Sequence, residues 1–179
     1  YSSNMPHIHT EPGQYDHTAS AYIIRTDFAE PKIMLHQHKL LKVWLQFGGH
    51  IELNENPWQA ICHELREETG YDVGQLKVLQ PPGRFKKVSN NTLHPIPVSY
   101  QTHQFGDTDH FHTDVAFLFI TDQPPKHRLG KGESKTIQLF TAKELAALKE
   151  VLPDIKETLQ FALDTCLSQW EAIDPSKFS

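Results

Sequence analysis

Short apolar segments separated by turn residues run along most of the chain. Alternating apolar positions flanked by Gly, Pro and Asn predict strands near residues 18–27, 32–36, 43–46, 75–80, 97–104, 111–121 and 136–140. The run 115–120 lacks polar alternation, which predicts a strand buried on both faces. Residues 1–17 are polar and carry turn residues, so we predict an irregular N-terminal arm there.

Helical periodicity interrupts this series at residues 57–69. Apolar residues recur there at i, i+3, i+4 and i+7, in a stripe of Trp58, Ile61, Cys62 and Leu65. Asn56 can cap the start of this helix, and Gly70 suits a left-handed cap at its end. Helices are also predicted after the capping box at Thr141 and from Pro153. Strands with helices interspersed predict an α/β fold, in which a mixed sheet lies between helices.

The composition excludes several classes of protein. With 179 residues, 38% hydrophobic and 22% charged, the chain has the composition of one globular domain, placed at residues 18–179. The formal charge of −5 argues against a nucleic-acid polymer as partner, and the longest apolar run is too short to cross a membrane. Cys62 and Cys166 lie on apolar faces of predicted helices without CxxC spacing, which favours reduced, buried thiols and a cytoplasmic location. The sequence leaves the oligomeric state open, a homodimer included.

Three glutamates on the first predicted helix carry the strongest chemical signal. Glu64, Glu67 and Glu68 stand at i, i+3 and i+4, so they project from neighbouring points of one helix face. Like charges this close destabilise a helix unless a cation lies among them, and hard divalent ions such as Mg²⁺ prefer carboxylate oxygen. The alternative is a solvated acidic face without a ligand, which is common on glutamate-rich helices.

The residues around this helix favour the metal site. Gly48 and Gly49 carry no side chain that would block a backbone carbonyl from an ion, and Glu55 can reach back toward the helix from the preceding loop. The whole segment 49–71 resembles the Nudix box, G-x5-E-x7-R-E-U-x-E-E-x-G-U, in which U is a bulky apolar residue. The positions in register are Gly49, Glu55, Glu64, Leu65, Glu67, Glu68, Gly70 and Tyr71.

The resemblance implies a Nudix-type α/β/α sandwich that hydrolyses a nucleoside diphosphate linked to another moiety, a small phosphate-containing substrate. It also implies that Glu64, Glu67 and Glu68 are catalytic and bind Mg²⁺ or Mn²⁺ together with the carbonyl of Gly49. Glu64 would assist in activating water. Nudix proteins often add a glutamate from a loop before the last strand. Glu133 is the matching residue here, and an exposed loop glutamate without a ligand is the alternative.

The segment departs from the family pattern at one position, where His63 replaces the arginine of the box. The resemblance implies that this arginine orients the helix carboxylates by pairing with a loop glutamate. A protonated His63 bonded to Glu55 can take over part of that support, whereas Arg66 points to another part of the helix. We therefore expect Glu55 and His63 to provide structural support for the site.

Histidines outside the box are further candidates. His110, His112 and Asp114 alternate on one face of a predicted strand, where they could bind a metal, contact a substrate phosphate or form a polar strand end. The other two H-x-H pairs are interpreted as surface residues of the tail, at His7 and His9, and of a strand or turn, at His36 and His38.

Arg84 and Lys86 belong to a basic run with one aromatic residue at 84–87. Such a run can hold substrate phosphates, so both residues are candidates for substrate binding. A solvated loop is the more common structure for a run of this kind.

The favoured function is therefore a metal-dependent hydrolase that cleaves a diphosphate linkage. A Nudix-like module that senses a nucleotide without cutting it is an alternative, favoured by His63 and disfavoured by the intact glutamates. A prenyl diphosphate isomerase of the Nudix fold is a more distant one, because the catalytic cysteine motif of that group is not found around residues 44–52.

Overall fold

A computed structural model describes residues 11–104, 109–129 and 136–178. Two long strands, β1 (Tyr15–Arg25) and β7 (Phe111–Thr121), lie side by side and parallel at the centre of a single sheet. The other strands pair antiparallel and are β2 (Lys32–Gln37), β3 (Trp44–Leu45), β4 (Phe47–His50), β5 (Lys77–Gln80), β6 (Ser99–Gln104), β8 (Thr136–Thr141) and β9 (Glu171–Ile173). The predicted mixed sheet is confirmed.

Each central strand divides its outer edge between two partners. Strand β1 pairs with β4 through residues 18–21 and with β2 through residues 23–25. Strand β7 pairs with β6 through residues 111–116 and with β5 through residues 119 and 120. The apolar halves of both strands lie in the core, whereas their first halves bury polar side chains, namely Asp16, Thr18, Ser20, His112 and Asp114. The sheet therefore has an apolar end and a polar end.

The helices pack on both faces of this sheet. Helix α1 (Pro57–Thr69) covers one face, where Trp58, Ile61 and Leu65 pack against Phe117 and Phe119. The opposite face carries α2 (Ala142–Ala147) and α3 (Pro153–Phe161), which continues through a π turn (Ala162–Cys166) into α4 (Leu167–Gln169). This arrangement confirms the α/β/α sandwich. Within the described residues, none of the helices has the length and apolar content of a membrane span.

Local signals set both ends of α1. The Asn56 side chain accepts a hydrogen bond from the Gln59 backbone at 2.9 Å, and the Gln59 side chain accepts one from the Asn56 backbone at 3.0 Å. Gly70 ends the helix with a left-handed φ of 77°. A Cβ atom there would lie 2.2 Å from the carbonyl oxygen of His127, so only glycine fits. The predicted bounds 57–69 are confirmed.

Three expectations about the fold need correction. Strand β1 begins at Tyr15, inside the predicted arm, because its inward side chains Asp16 and Thr18 are polar and give no apolar alternation. Strand β9 was not predicted, since three residues are too few for a periodic signal. His36 is not a surface residue: it is buried, and its Nε2 lies 3.1 Å from the Gln46 carbonyl oxygen. His7, His9 and Glu133 lie outside the described residues.

Candidate functional site

The glutamates of α1 differ in exposure. Glu64 and Glu68 are 5% and 4% exposed, whereas the side chain of Glu67 is 60% exposed. Glu68 faces β4, where its Oε2 accepts a hydrogen bond from the backbone N–H of Gly48 at 2.9 Å. Glu64 lies one helical turn earlier, on the same side of α1. The helix thus presents two buried carboxylates near the double glycine and a third at its solvent edge.

Gly48 brings β4 close enough for that contact. Its φ is 140°, and an added Cβ would lie 2.2 Å from the carbonyl oxygen of Ala19. Any side chain at this position would force β4 away from β1. Gly48 and Gly49 belong to β4, where they pair with Ser20 and Ala19, so the double glycine extends a strand instead of forming an irregular loop.

His63 lies between two carboxylates. Its Nδ1 is 3.2 Å from Glu55 Oε1, and its Nε2 is 3.3 Å from Glu67 Oε1. Partial burial acts to lower the pKa of His63, but the charges of Glu67, Glu64 and Glu55 outweigh it and raise the pKa above its usual value. The histidine therefore contacts one carboxylate of the loop before α1 and one carboxylate of α1 itself.

Arg66 does not take part in this bridge. It forms an ion pair with Asp72, which also lies 2.8 Å from His127 Nε2 and 3.6 Å from Lys126 Nζ. Asp72 follows the C-terminal end of α1. Asp72 therefore links the arginine to the loop after β7, and Arg66 points away from the glutamates, as predicted.

The carboxylates of α1 fit a hard divalent cation. Burying two like charges one turn apart is costly unless positive charge compensates them. Mg²⁺ usually binds through one or two carboxylates and keeps several waters, so it does not require three side chains in close contact. Glu64 and Glu68 supply two buried carboxylates, and Glu67 adds a third at the solvent edge. Gly49, beside them in β4, offers backbone oxygen without a side chain.

A small polar cleft lies beside the double glycine. It is lined by Gln46, Phe47, Gly48, Gly49 and His50 and, from the central strands, by Thr18, Ser20 and Asp114. Asp114 Oδ1 accepts hydrogen bonds from Thr18 at 2.7 Å and from Ser20 at 2.8 Å. Burial raises the pKa of the Asp114 carboxyl, and the two hydroxyls oppose that shift.

His110 and His112 lie next to an aspartate that the sequence analysis did not single out. Asp16 of β1 pairs in register with His112 of β7, and His110 Nε2 is 3.2 Å from Asp16 Oδ2. All three residues are buried. The sequence signal for Asp16 was the period-two series of polar residues Asp16, Thr18 and Ser20. The position of this series opposite His112 and Asp114 depends on the parallel pairing of β1 with β7, which sequence does not reveal.

Arg84 and Lys86 lie apart from the glutamates. They line an open pocket together with the segment of β9 and its following residues, and no residue of α1 lines it. Arg84 pairs with Glu171 at 3.1 Å, and its guanidinium lies 5.8 Å from the ring centre of Phe178. The basic run therefore forms a second surface, distinct from the polar cleft.

An open apolar pocket lies at the start of α1. Its lining includes Ile51 and Pro57 next to the glutamate helix, and Pro95, Pro97 and the exposed ring of Tyr100 across from them. His17, Thr113 and Val115 form its floor on the face of the sheet that α1 covers. The pocket offers flat apolar surface at the N-terminal end of the helix that carries the carboxylates.

Comparisons with known proteins agree with this architecture. A family model described as the NUDIX domain matches residues 16–161. A NUDIX-family hydrolase from Clostridium perfringens is 28% identical, with a TM-score of 0.68 over 83% of this chain and 95% of that one. Among curated proteins, none matches the chain.

Two more distant solved structures share the fold. An Ap4A hydrolase from C. elegans is 16% identical with a TM-score of 0.58, over 82% of this chain and 95% of that one. The E. coli dihydroneopterin triphosphate pyrophosphohydrolase is 18% identical with a TM-score of 0.54, over 85% and 95% respectively.

Proposed function

The chain belongs to the NUDIX hydrolase family, and on that premise we propose that it cleaves a diphosphate linkage in a nucleoside diphosphate derivative with Mg²⁺ or Mn²⁺. The observation that carries this proposal is the pair of buried carboxylates on α1, Glu64 and Glu68, beside the double glycine of β4. Two carboxylates one helical turn apart form an oxygen donor set of the kind that Mg²⁺ prefers.

Each residue then has a distinct role. Glu64, Glu67 and Glu68 would hold the ion, and Gly49 would contribute its carbonyl oxygen. Glu68 also fixes α1 against β4 through the Gly48 N–H, which keeps the carboxylates at the edge of the cleft. Glu64 accepts the proton of the attacking water. When bound, the ion would neutralise charge on the diphosphate.

The apolar pocket at the start of α1 is the place for the nucleoside. A base can stack on the exposed Tyr100 ring and on the flat faces of Pro95 and Pro97. Tyr100→Ala is expected to raise KM more than it lowers kcat, because the pocket contacts the substrate away from the bond that breaks. His110 and His112 have no role in this scheme, and their contact with a substrate phosphate stays a prediction.

A hydrolysis panel tests the proposal directly. The purified protein is incubated with Mg²⁺ and with sugar nucleotides, Ap4A, dihydroneopterin triphosphate and nucleoside triphosphates, and the products are identified. Glu67→Gln and Glu68→Gln should each lower turnover by about 100-fold or more while the protein stays folded. A glutamine at position 68 can still accept the hydrogen bond from the Gly48 N–H. Glu68→Gln therefore removes the negative charge and keeps the contact with β4.

Glu157→Gln is the matched control, because Glu157 is an exposed glutamate of α3 on the opposite face of the sheet. It should leave turnover unchanged. Equal turnover in the wild type, Glu67→Gln and Glu68→Gln would refute the assignment of the site.

A nucleotide sensor remains the second candidate, since His63 replaces the arginine of the box and contacts Glu67 at 3.3 Å. Tight binding of a nucleoside diphosphate compound without product, across the whole panel, would favour it.

We also propose a reducing, cytoplasmic location. Both cysteines are free, and burial raises the pKa of the Cys62 and Cys166 thiols to about 11, which keeps them protonated and unreactive.

A further inference from the structure

We propose that Asp16, His110 and His112 form a second metal site, separate from the glutamates of α1, which binds a transition-metal ion such as Zn²⁺ and joins the polar ends of β1 and β7. One carboxylate and two imidazoles form a donor set that the diphosphate chemistry does not use. The site would be structural, and the proposal does not depend on which substrate the enzyme cleaves.

The pairing of the central strands builds this site. Asp16 of β1 and His112 of β7 are directly opposite in the parallel register, so their side chains leave the sheet on the same face. His110 precedes His112 by two residues and comes to the same side. One ligand atom from each of the three residues lies within 4.8 Å of the other two. Only the parallel pairing of β1 with β7 brings residues so far apart in sequence together.

The distances match those between ligands of a small tetrahedral ion. His110 Nε2 lies 3.2 Å from Asp16 Oδ2, and His50 Nε2 lies 3.5 Å from the same oxygen. Ligands at about 2.0–2.1 Å from a tetrahedral zinc ion are about 3.3 Å apart. His110 and His50 therefore already lie at ligand spacing from this oxygen, and a ring nitrogen of His112 lies within 4.8 Å of the ligand atoms of Asp16 and His110.

The donors also select the class of ion. Imidazole with carboxylate suits Zn²⁺ and neighbouring first-row ions, whereas the all-oxygen glutamates of α1 suit Mg²⁺. Two more histidines surround the site: the ring centres of His50 and His103 lie 5.1 Å and 5.5 Å from that of His112. His50 comes from β4 and His103 from β6, so either can supply a fourth ligand or orient the other three.

Burial assigns the site a structural role. Asp16 is 1% exposed and His112 is 0% exposed, while His110, at 9%, lies at the rim. An ion there would be shielded from solvent and would link β1 to β7, the two central strands of the sheet. Because the unfolded chain lacks the assembled ligands, binding would add directly to the stability of the folded protein.

The test measures metal content and stability instead of turnover. The full chain is stripped with a chelator and dialysed into excess Mg²⁺, which occupies hard oxygen sites, and is then titrated with Zn²⁺ or Co²⁺. We expect one tightly bound equivalent per chain, a Co²⁺ visible spectrum of nitrogen-containing tetrahedral coordination, and a rise in Tm of about 5 °C or more. Asp16→Asn and His112→Gln should weaken Zn²⁺ binding by about 100-fold or more.

Two control variants separate this site from other sources of metal binding. His17→Gln changes a histidine of the same strand that is exposed on the other face of the sheet, and it should keep one equivalent. Glu67→Gln changes the glutamate site and should also keep it. Loss of hydrolysis with Zn²⁺ retained in Glu67→Gln would show that the two sites are independent.

Three results would overturn the proposal. One is a folded wild-type protein that takes up no Zn²⁺ or Co²⁺, which would mean that the imidazoles only hydrogen-bond to Asp16. Another is a loss of bound metal in His17→Gln as large as the loss in Asp16→Asn and His112→Gln. The third is loss in Glu67→Gln with retention in Asp16→Asn. If the variants at the two fully buried positions fail to fold, His110→Gln at the rim and the wild-type Co²⁺ spectrum decide the question.

Discussion

His63 contacts a loop carboxylate and a helix carboxylate with different ring nitrogens. A neutral imidazole donates through only one of them, so the double contact with Glu55 and Glu67 requires the protonated ring. The raised pKa of His63 agrees with this, although burial opposes it. An arginine would hold both carboxylates with a permanent charge and a planar set of donors.

His63→Arg should therefore preserve or raise turnover. The guanidinium can contact Glu55 and Glu67 at any working pH, and the side chain at this position is 38% exposed, which leaves room for the longer group. The measurement is kcat with Mg²⁺ on the best substrate of the panel. Arg66→Lys serves as control, since Arg66 pairs with Asp72 and not with the glutamates. A large loss of kcat in a folded His63→Arg protein would reject this role.

Residues on one helix were predictable, whereas residues that meet across the sheet were not. The spacing of Glu64, Glu67 and Glu68 depends only on helix geometry, which sequence reveals. The meeting of Asp16 with His110 depends on β1 and β7 being parallel neighbours in one particular register. Periodicity indicates which side chains share a face of their own strand, but not which strand lies beside it.

Strand β4 shows how a single glycine positions an element. The approach of β4 to β1 leaves no room for a Cβ at position 48, and the positive φ adds backbone strain for any other residue. The same approach directs the Gly48 N–H toward Glu68. The strand pairing and the position of the α1 carboxylates are therefore coupled.

Gly48→Ala is expected to lower the free energy of unfolding by about 2 kcal/mol or more, because the new methyl group collides with the Ala19 carbonyl. Urea unfolding measures the change, and kcat should fall with it as Glu68 loses its partner. Gly74→Ala is the matched control, since a Cβ there meets nothing within 4 Å. Similar stability of both variants would contradict the close approach.

Ion pairs of Asp72 stabilise the C-terminal end of α1. The hydrogen bond with His127 lowers the pKa of Asp72, and the charges of Arg66 and Lys126 add to this effect. A carboxylate whose pKa is lower in the folded state stabilises the protein above its unfolded pKa. That stabilisation is lost as the pH falls through the folded value.

Asp72→Asn should therefore make the protein less stable at neutral pH and less sensitive to acid. We expect the Tm difference from wild type to shrink as the pH drops below about 4, where the Asp72 carboxyl of the unfolded wild-type chain becomes protonated. Thermal unfolding from neutral pH down to about 3 measures this. Asp122→Asn, in the loop after β7, is the control. A Tm difference that stays constant with pH would show that the charge of Asp72 has no part in stability.

Elements with strong local signals were predicted well. Helix α1 was located to the residue because a capping box and a left-handed glycine fix its ends. Strand β9 was missed because its stability comes from pairing with β5, which local sequence does not encode. The first residues of β1 were missed because their buried side chains are polar.

At the scale of the whole molecule, the C-terminal segment connects the sheet edge to the glutamate helix. Strand β9 pairs with β5, and Lys77 contacts Asp174 at 2.9 Å. A 3₁₀ turn (Pro175–Lys177) then brings Phe178 to Trp58 of α1, with ring centres 5.8 Å apart. The helix that carries the glutamates thus rests partly on residues more than a hundred positions later.

Phe178→Ala should lower the free energy of unfolding by about 1–3 kcal/mol, less than for a fully buried phenylalanine, because Phe178 is only partly buried. The contacts with Trp58 and with the Arg84 guanidinium are lost, and Trp58 fluorescence should shift as its environment becomes more polar. Turnover should change little, since Phe117 and Phe119 still hold Trp58 from the sheet.

Phe161→Ala is the comparison for this last change, because Phe161 is 44% exposed and packs on Trp170 away from α1. Phe161→Ala should lower the free energy of unfolding less than Phe178→Ala does. A Phe178→Ala protein with wild-type stability and wild-type fluorescence would show that the C-terminal segment does not support α1. Loss of turnover without loss of stability would instead show that the segment takes part in catalysis, which its contact with Trp58 at the start of α1 argues against.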